Sequence, residues 1–443
     1  MTTDLKDISS KQMLLPHTLT EWLAYIERLH PETIALGLKR IQSIAQPLQL
    51  THFTCPVITV AGTNGKGSTV AALHSMWMQA GYRVASYTSP HIDCFNERLR
   101  IQHRLVSDDE LCQAFECIEQ ARRKHAICLT FFEFTTLAIL WVLQQQDLDV
   151  VILEVGLGGR LDAVNIVDAD VAVITNIDFD HQAWLGNTRA AIAREKAGIM
   201  RPKRPVVCGD PQPPDTLVKN AQSLACDLLS IGQAFYTRTD QAGWQWFGPQ
   251  QRHYSFTTLP KIHVNNAASA LMVIELMQPQ LPIYAEQIAQ GLDHMQLTAR
   301  LERVTDPIRK IDHLFDVAHN PQAIAHLADY LRQMPIKGKT YAVFSLLRDK
   351  LSANIVQPIV SVIDAWYIAP IQAARAAGIH EIQQLLTTYT DANIVVSNDL
   401  AQAYRAVLEV AQSSDRIIVF GSFYVVSAVR SVIKENDVII QRR

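Results

Sequence analysis

The chain has 443 residues, 48% of them hydrophobic and 19% charged, with a formal net charge of −3. That composition supports a large packed core and excludes intrinsic disorder, which needs low hydrophobicity and high net charge; at roughly 150 residues per domain, the length suggests two or three domains. A nearly balanced charge gives no whole-chain field toward nucleic acid or an anionic membrane, so neither is expected as a partner.

Seven cysteines (Cys55, Cys94, Cys112, Cys117, Cys128, Cys208 and Cys226) form no CxxC pair and are odd in number. This argues against a disulfide framework or a cysteine zinc site, and for reduced thiols in a cytoplasmic protein. The start, MTTDLKDISSKQ, is polar and does not read as a signal peptide. The longest apolar run, Phe134 to Leu143, is about half the length of a membrane helix.

In chain order, residues 19 to 46 read as helical, opening at Thr18 or Thr20. Val57 to Val60 is a short apolar run, followed by a glycine cluster and then helical spacing from Thr69 to Gln79, ended by Gly81. Glu133 to Gln146 reads as helix, Val150 to Val155 as a strand entering Gly156-Leu157-Gly158-Gly159, and Val171 to Thr175 as another strand entering Asn176 to His181. Continuous Val/Ile runs mark strands buried on both faces, as in parallel sheets. Thr188 to Ala197 is again helical; from Pro202 to about Pro260 the pattern loosens toward antiparallel or irregular structure. Helices follow at Val264 to Met277 and Ala285 to Asp293. Strands are expected at His313–Val317, Tyr341–Ser345, Ala365–Ala369, Asn393–Val396 and Arg416–Phe420, with helices between them. The reading is α/β: a parallel-sheet, phosphate-loop ATPase-like domain over 1–297 and a smaller Rossmann-like α/β domain over 298–443.

The stretch Ala61-Gly62-Thr63-Asn64-Gly65-Lys66-Gly67-Ser68-Thr69 is the most informative. Glycines let backbone N–H groups approach phosphate oxygens, and the helix that follows offers free N–H groups and its positive dipole end to the same anion. Lys66 can reach the outer phosphates, and Ser68 or Thr69 can bind Mg²⁺. The spacing departs from GxxxxGK[ST], and the plain alternative is a glycine turn between strand and helix. Glu154, at the carboxyl edge of a buried strand, stands where open α/β folds place ligands, or else caps its own glycine loop. His181 ends a segment with two aspartates and suits a cation or a hydrogen-bonded loop alike. Gly156 to Gly159 lacks the GxGxxG spacing of a dinucleotide site.

AGTNGKGS resembles the ATP loop of the Mur ligase superfamily, and further motifs resemble its folate branch, the folylpolyglutamate and dihydrofolate synthases. These are Ser86-Tyr87-Thr88-Ser89-Pro90-His91, Glu154 to Ala163, Asp180-His181 with Trp184-Leu185-Gly186, Arg194 to Gly198, Asp316 to Pro321, and Gly421-Ser422-Phe423. The resemblance spans about residue 20 to 430 and implies a monomeric, bifunctional ATP-dependent ligase. It would add L-glutamate to dihydropteroate and to reduced folates, with ATP as a substrate, Mg²⁺ as the cofactor and K⁺ as a further ion.

By the same resemblance, Gly62, Asn64, Gly65, Lys66, Gly67, Ser68, Asn266, Arg300 and Asp316 bind ATP, while Ser89, Glu154, His181 and Ser68 hold Mg²⁺. Lys66, His181 and Lys196 are catalytic, and Lys196, otherwise a solvated helix lysine, carries a CO₂-derived carbamate. The aromatic segment Thr130-Phe131-Phe132-Glu133 binds the pterin together with Ala35, Leu36, Leu161, Asp162 and Ala163, although some relatives have aspartate at Ala35. A flat heteroaromatic ring suits stacking beside one acidic hydrogen-bond partner. The family's Pro-Gly-Arg at the interdomain joint is here Thr298-Ala299-Arg300, which suggests a less kinked hinge. A monofunctional folylpolyglutamate synthase is the first rival reading; a ligase for another acid, and a nucleotide-binding regulator or phosphotransferase, are the others.

Overall fold

The structure, a computed structural model, describes residues 15–32, 34–240, 243–435 and 441–442. Its first sheet holds β1 (Val57–Ala61), β2 (Val84–Tyr87), β3 (Leu99–Ile101), β4 (Arg104–Leu105), β5 (Val150–Glu154), β6 (Val171–Ile174), β7 (Pro205–Cys208) and β8 (Asp227–Ser230), in the order β4-β3-β2-β5-β1-β6-β7-β8. From β2 to β8 the pairings are parallel; β3 and β4 add an antiparallel edge.

β1, β5 and β6 are buried at every position because both faces are covered. Helices Leu19–Ile26, Lys39–Ala45, Asp108–His125 and Phe131–Gln144 lay Trp22, Ile41, Phe115 and Phe134 over Tyr87, Val151 and Leu153. Helices Lys66–Gln79, Val264–Met277 and Ala285–His294 lay Met76, Leu271 and Ile288 over Ile58, Val60 and Ile152. Adjacent residues of one strand thus serve opposite faces, as the pleat requires. Gly291 lets helix Ala285–His294 pack closely on helix Lys66–Gln79: a Cβ there would lie 2.5 Å from Met76 Cα.

The expected helix from 19 to 46 is two short ones, parted by a stretch that contains Pro31 and Gly37. Proline disfavours helix in the residue before it, and Gly37 takes φ 153°. The helix Asp108–His125 and the strand β2 were not foreseen; the helix carries its own signal in the Ser107/Glu110 capping box. The loosened region is partly regular. Pro205–Cys208 joins the parallel sheet, and β9 (Tyr236–Asp240), β10 (Gly243–Phe247) and β11 (His253–Phe256) form the antiparallel sheet expected there. Trp244 and Trp246 are buried beneath it, and Trp246 Nε1 donates to Ala268 O at 3.1 Å.

The second sheet orders β12 (Glu302–Thr305), β13 (Asp312–Phe315), β14 (Thr340–Phe344), β15 (Ala365–Ile368), β16 (Asn393–Val396), β17 (Arg416–Phe420) and β18 (Gln441–Arg442) as β16-β15-β14-β17-β13-β12-β18. Its pairings are parallel from β16 to β13 and antiparallel at β12 and β18. The joint between the sheets is turned sharply without Pro-Gly, contrary to the hinge expected from sequence. Ala299 and Leu301 both take left-handed conformations, φ 54° and 49°, at roughly 1–2 kcal/mol each. Two carboxylates hold the turn: Glu302 accepts from Ala299 N (2.8 Å) and Asp316 from Leu301 N (2.8 Å).

Candidate active site

The carboxyl ends of β1, β5 and β6 face the second sheet across a cleft of about 1200 Å³. The glycine loop follows β1, and helix Lys66–Gln79 begins at Lys66. Gly65 takes φ 81°, and a Cβ there would lie 2.4 Å from Asn266 Nδ2, so only glycine lets Asn266 lie on the loop. The exit of β6 clamps the loop: Thr63 N donates to Asn176 O (3.0 Å), Asn64 N to Asn176 Oδ1 (2.8 Å), and Thr175 Oγ1 to Asn64 O (2.6 Å). Gly62 also serves this clamp, since a Cβ there would collide with Thr175 Oγ1. Lys66 Nζ lies 3.1 Å from Gly62 O and 3.3 Å from Thr63 O. Burial holds its pKa below the ordinary lysine range, against the pull of Glu154 and Asp180.

Glu154 is the last residue of β5, 4% exposed, and accepts from Ser89 N at 3.1 Å. Burial raises its pKa, while Lys66 and the Ser89 amide oppose the rise. A Cβ on Gly67 would make ordinary contact with its Oε2 at 3.6 Å, which puts the helix start directly against this carboxylate. Ser68, Ser89, Glu154 and His181 all line the cleft. Among the described residues no three of His, Cys, Asp and Glu form a self-sufficient metal cluster. The donor set of hydroxyls, one carboxylate and one imidazole fits a hard divalent ion that completes its shell with phosphate oxygens and water.

His181 sits at φ 48°, and burial pushes its imidazole down to about 4 against the attraction of Asp180. Asp180 is gripped from the second sheet by Lys350 Nζ and by His319, whose Nε2 is 3.7 Å away. Although burial by itself would raise it, His319, His181 and Lys350 hold the Asp180 carboxyl far below the usual carboxylate range. Asn64 adds a second bridge, donating to Gln322 Oε1 (2.7 Å) and exchanging bonds with Asn320 (2.8 and 3.2 Å).

Asn266, Arg300 and Asp316 also line the cleft. Arg300 packs over Phe423 at 5.3 Å. Both oxygens of Asp316 are used by backbone N–H groups, of Leu301 and of Ala318 (2.7 Å). Lys196 is 3% exposed behind the cleft wall; burial and then Lys66 lower it to about 7. It is no solvated helix lysine.

Of the pterin set, Phe131 and Phe132 line the cleft. A Cβ on Gly156 would lie 2.5 Å from the Phe132 ring. Thr130 and Glu133 lie behind them as the capping box of helix Phe131–Gln144, and Glu133 pairs with Arg40 at 3.0 Å. Arg40 in turn donates to Ala35 O at 2.6 Å, which ties the Ala35-Leu36 segment to the aromatic one. Thr33, in the same segment, lies outside the described residues. Asp162 accepts from Leu157 N (2.8 Å) and Val164 N (3.0 Å), and burial raises it to about 6; it shapes the loop that carries Leu161 and Ala163, none of the three on the cleft surface.

Sequence reasoning missed Lys350, Gln322, Arg98 and the pair His263/His326, whose rings meet at 5.2 Å. Lys350 and His326 carry no motif of their own. Arg98, nine positions beyond Ser89 on the same strand-exit segment, was within reach of the argument.

Comparison with known proteins gives a consistent family. The Mur ligase middle domain matches residues 60–273, and the Mur ligase glutamate ligase domain matches 299–423. The dihydrofolate synthase/folylpolyglutamate synthase of Escherichia coli K12 is 41% identical over 94% of this chain and 95% of its own; that of Haemophilus influenzae is 36% identical over 96% and 100%. The structure of E. coli FolC in complex with DHPP and ADP superposes with a TM-score of 0.88 at 39% identity, covering 95% of this chain and 98% of that one. A bifunctional folylpolyglutamate synthase/dihydrofolate synthase with Mn, AMPPNP and L-glutamate bound gives 0.86 at 40%, covering 94% and 98%.

Proposed function

The chain belongs to the dihydrofolate synthase/folylpolyglutamate synthase family of Mur ligases, and on that premise we propose that it is an ATP-dependent carboxylate–amine ligase. It joins L-glutamate to dihydropteroate, giving dihydrofolate, and adds L-glutamate to reduced folates. One observation carries the reading: the phosphate loop of the first sheet and Arg300, Asp316, His319 and Lys350 of the second share a single cleft. We place the division between the domains at 297/298, and the enzyme in the cytoplasm as a monomer.

A carboxylate is a poor electrophile at neutral pH. One of its oxygens attacks the γ-phosphorus of ATP, ADP departs, and an acyl phosphate results. The amine of glutamate then attacks the acyl carbon, the C–O bond to phosphate breaks, and the nitrogen loses a proton. Charge builds on crowded phosphates in both halves. Lys66 and the N–H groups of Gly62 to Ser68 are placed to offset it. Ser68, Ser89, Glu154 and His181 would hold Mg²⁺, which would neutralise phosphate charge and polarise the P–O bond. Burial and Lys66 bring Lys196 down to about 7, so a large share of its amine is unprotonated near neutral pH and can attack CO₂ and lose a proton, leaving a carbamate. Asn266, Arg300 and Asp316 hold the nucleotide, and Phe131 and Phe132 the flat ring. The Asp180–Lys350 and Asn64–Asn320 bridges keep the two sheets together, orient the reactants and keep water from the acyl phosphate.

The test is a product assay by mass with ATP and L-glutamate, offering dihydropteroate and tetrahydrofolate in parallel. Both should gain one glutamate residue with stoichiometric phosphate release. Phosphate transfer without an amine requirement would refute ligation, and reaction with tetrahydrofolate alone would leave a folylpolyglutamate synthase.

A further inference from the structure

Arg98 is 8% exposed, yet it lines the cleft. Its Nε donates to His91 Nδ1 at 3.0 Å. Its guanidinium lies 5.1 Å from the Phe95 ring centroid and 5.7 Å from that of Phe131, and these two rings meet edge to face at 6.3 Å. Among the described residues no carboxylate comes within ion-pair distance of it. A guanidinium is permanently charged, and enclosing it without an anion is costly. Nε is spent on His91, and the Tyr87 hydroxyl also hydrogen-bonds the guanidinium, which still leaves Nη donors over for something else.

His91 explains how the side chain is held. The bond from Arg98 makes Nδ1 the acceptor and places the ring proton on Nε2. The ring stands edge-on to Phe95 at 5.8 Å. Arg98 is therefore fixed by the His91 ring, the Tyr87 hydroxyl and two aromatic faces, with Nη donors left over.

We propose that Arg98 binds the reacting carboxylate of the pterin substrate through its Nη1/Nη2 fork, and so sets which acid is presented to ATP. The proposal rests on the ligase reading above and names a residue for its acid substrate. Aromatic rings at Phe131 and Phe132 suit the flat part of such a substrate, and a guanidinium fork matches a planar carboxylate in two parallel hydrogen bonds. Arg98 lines the same cleft as Glu154, Ser89 and the phosphate loop, so a carboxylate it holds shares that cleft with the ion site.

The experiment compares binding of dihydropteroate and of its carboxamide counterpart to the full chain with ADP and Mg²⁺ present, by calorimetry. The native chain should prefer the carboxylate by about 10- to 100-fold, as a charge-assisted pair implies. In Arg98→Gln that preference should fall to about threefold or less with ADP affinity unchanged, and in Arg98→Lys, which keeps charge and loses the fork, it should be intermediate. A preference that survives in Arg98→Gln overturns the assignment. Should Arg98→Gln not fold, a native-like preference in Arg98→Lys overturns it equally. If the native chain binds no dihydropteroate, the pterin reading itself falls, and Arg98 with it.

Discussion

Arg430 and Asp93 form a bidentate pair across the two sheets, with Nε···Oδ1 at 2.9 Å and Nη2···Oδ2 at 2.8 Å. Asp93 belongs to the segment that begins at Ser89; Arg430 is on helix Phe423–Glu435. The third donor of Arg430 reaches Glu302 Oε2 at 2.9 Å, the oxygen that also accepts from Ala299 N in the joint. One guanidinium thus connects the Ser89 segment to the hinge. Both partners are 12% exposed at the side chain, so the pair is little screened. Arg430→Leu leaves Asp93 to Lys434 and takes from Glu302 its Arg430 partner, and should cost about 2 kcal/mol. A urea midpoint unchanged from the native chain would contradict this.

Lys66→Ala should lower ligation by more than about 100-fold, the scale of losing one preorganised charge from a site of developing negative charge. The fold should persist, because Lys66 opens its helix and bonds only loop carbonyls. Circular dichroism with phosphate-release kinetics checks it; a mutant turning over at near-native rate would remove Lys66 from the mechanism.

Gly65→Ala combines a left-handed backbone, worth about 1–2 kcal/mol, with eviction of Asn266 from the loop. The KM for ATP should rise by about tenfold while that for dihydropteroate stays within about twofold. Equal losses for both substrates would point to general unfolding instead.

Stability should fall toward acid because of His313. It is 1% exposed, bonds Tyr404 Oη at 3.0 Å, and burial lowers its pKa from 6.5 to about 4. Between these values the unfolded chain binds the proton and the folded chain does not. The contribution is therefore intact above about pH 6.5 and lost progressively down to about pH 4, amounting to about 3 kcal/mol. His313→Phe should reduce by about that amount the fall in unfolding free energy between pH 7 and pH 4.5, read from urea unfolding, and an unchanged fall would exclude His313 as its source.

Much of the fold was readable because local chemistry and tertiary role agree. Val57–Ala61, Val150–Glu154 and Val171–Ile174 are apolar throughout and lie in the centre of the sheet. Helix Val264–Met277 runs over the stretch that its periodicity predicts. Where propensity was interrupted the reading failed, as between Ile26 and Lys39. At the joint, Ala299 and Leu301 adopt backbone conformations that no residue type announces; Glu302 and Asp316 impose them from a distance.

The sequence by itself determined the two α/β units, the phosphate loop and the family, because contiguous motifs such as AGTNGKGS carry their geometry in a few adjacent residues. Only the tertiary structure decided what stands opposite them. Lys350 against Asp180, Gln322 against Asn64, and the guanidinium of Arg98 beside Phe131 are meetings of residues far apart in the chain or enclosed by neighbours from other elements. Lys196 shows the difference most plainly: its local context is that of a solvent-facing helix lysine, and burial beneath the cleft lowers its pKa to about 7. Desolvation is a property of everything packed around a group, and a one-dimensional pattern does not hold it.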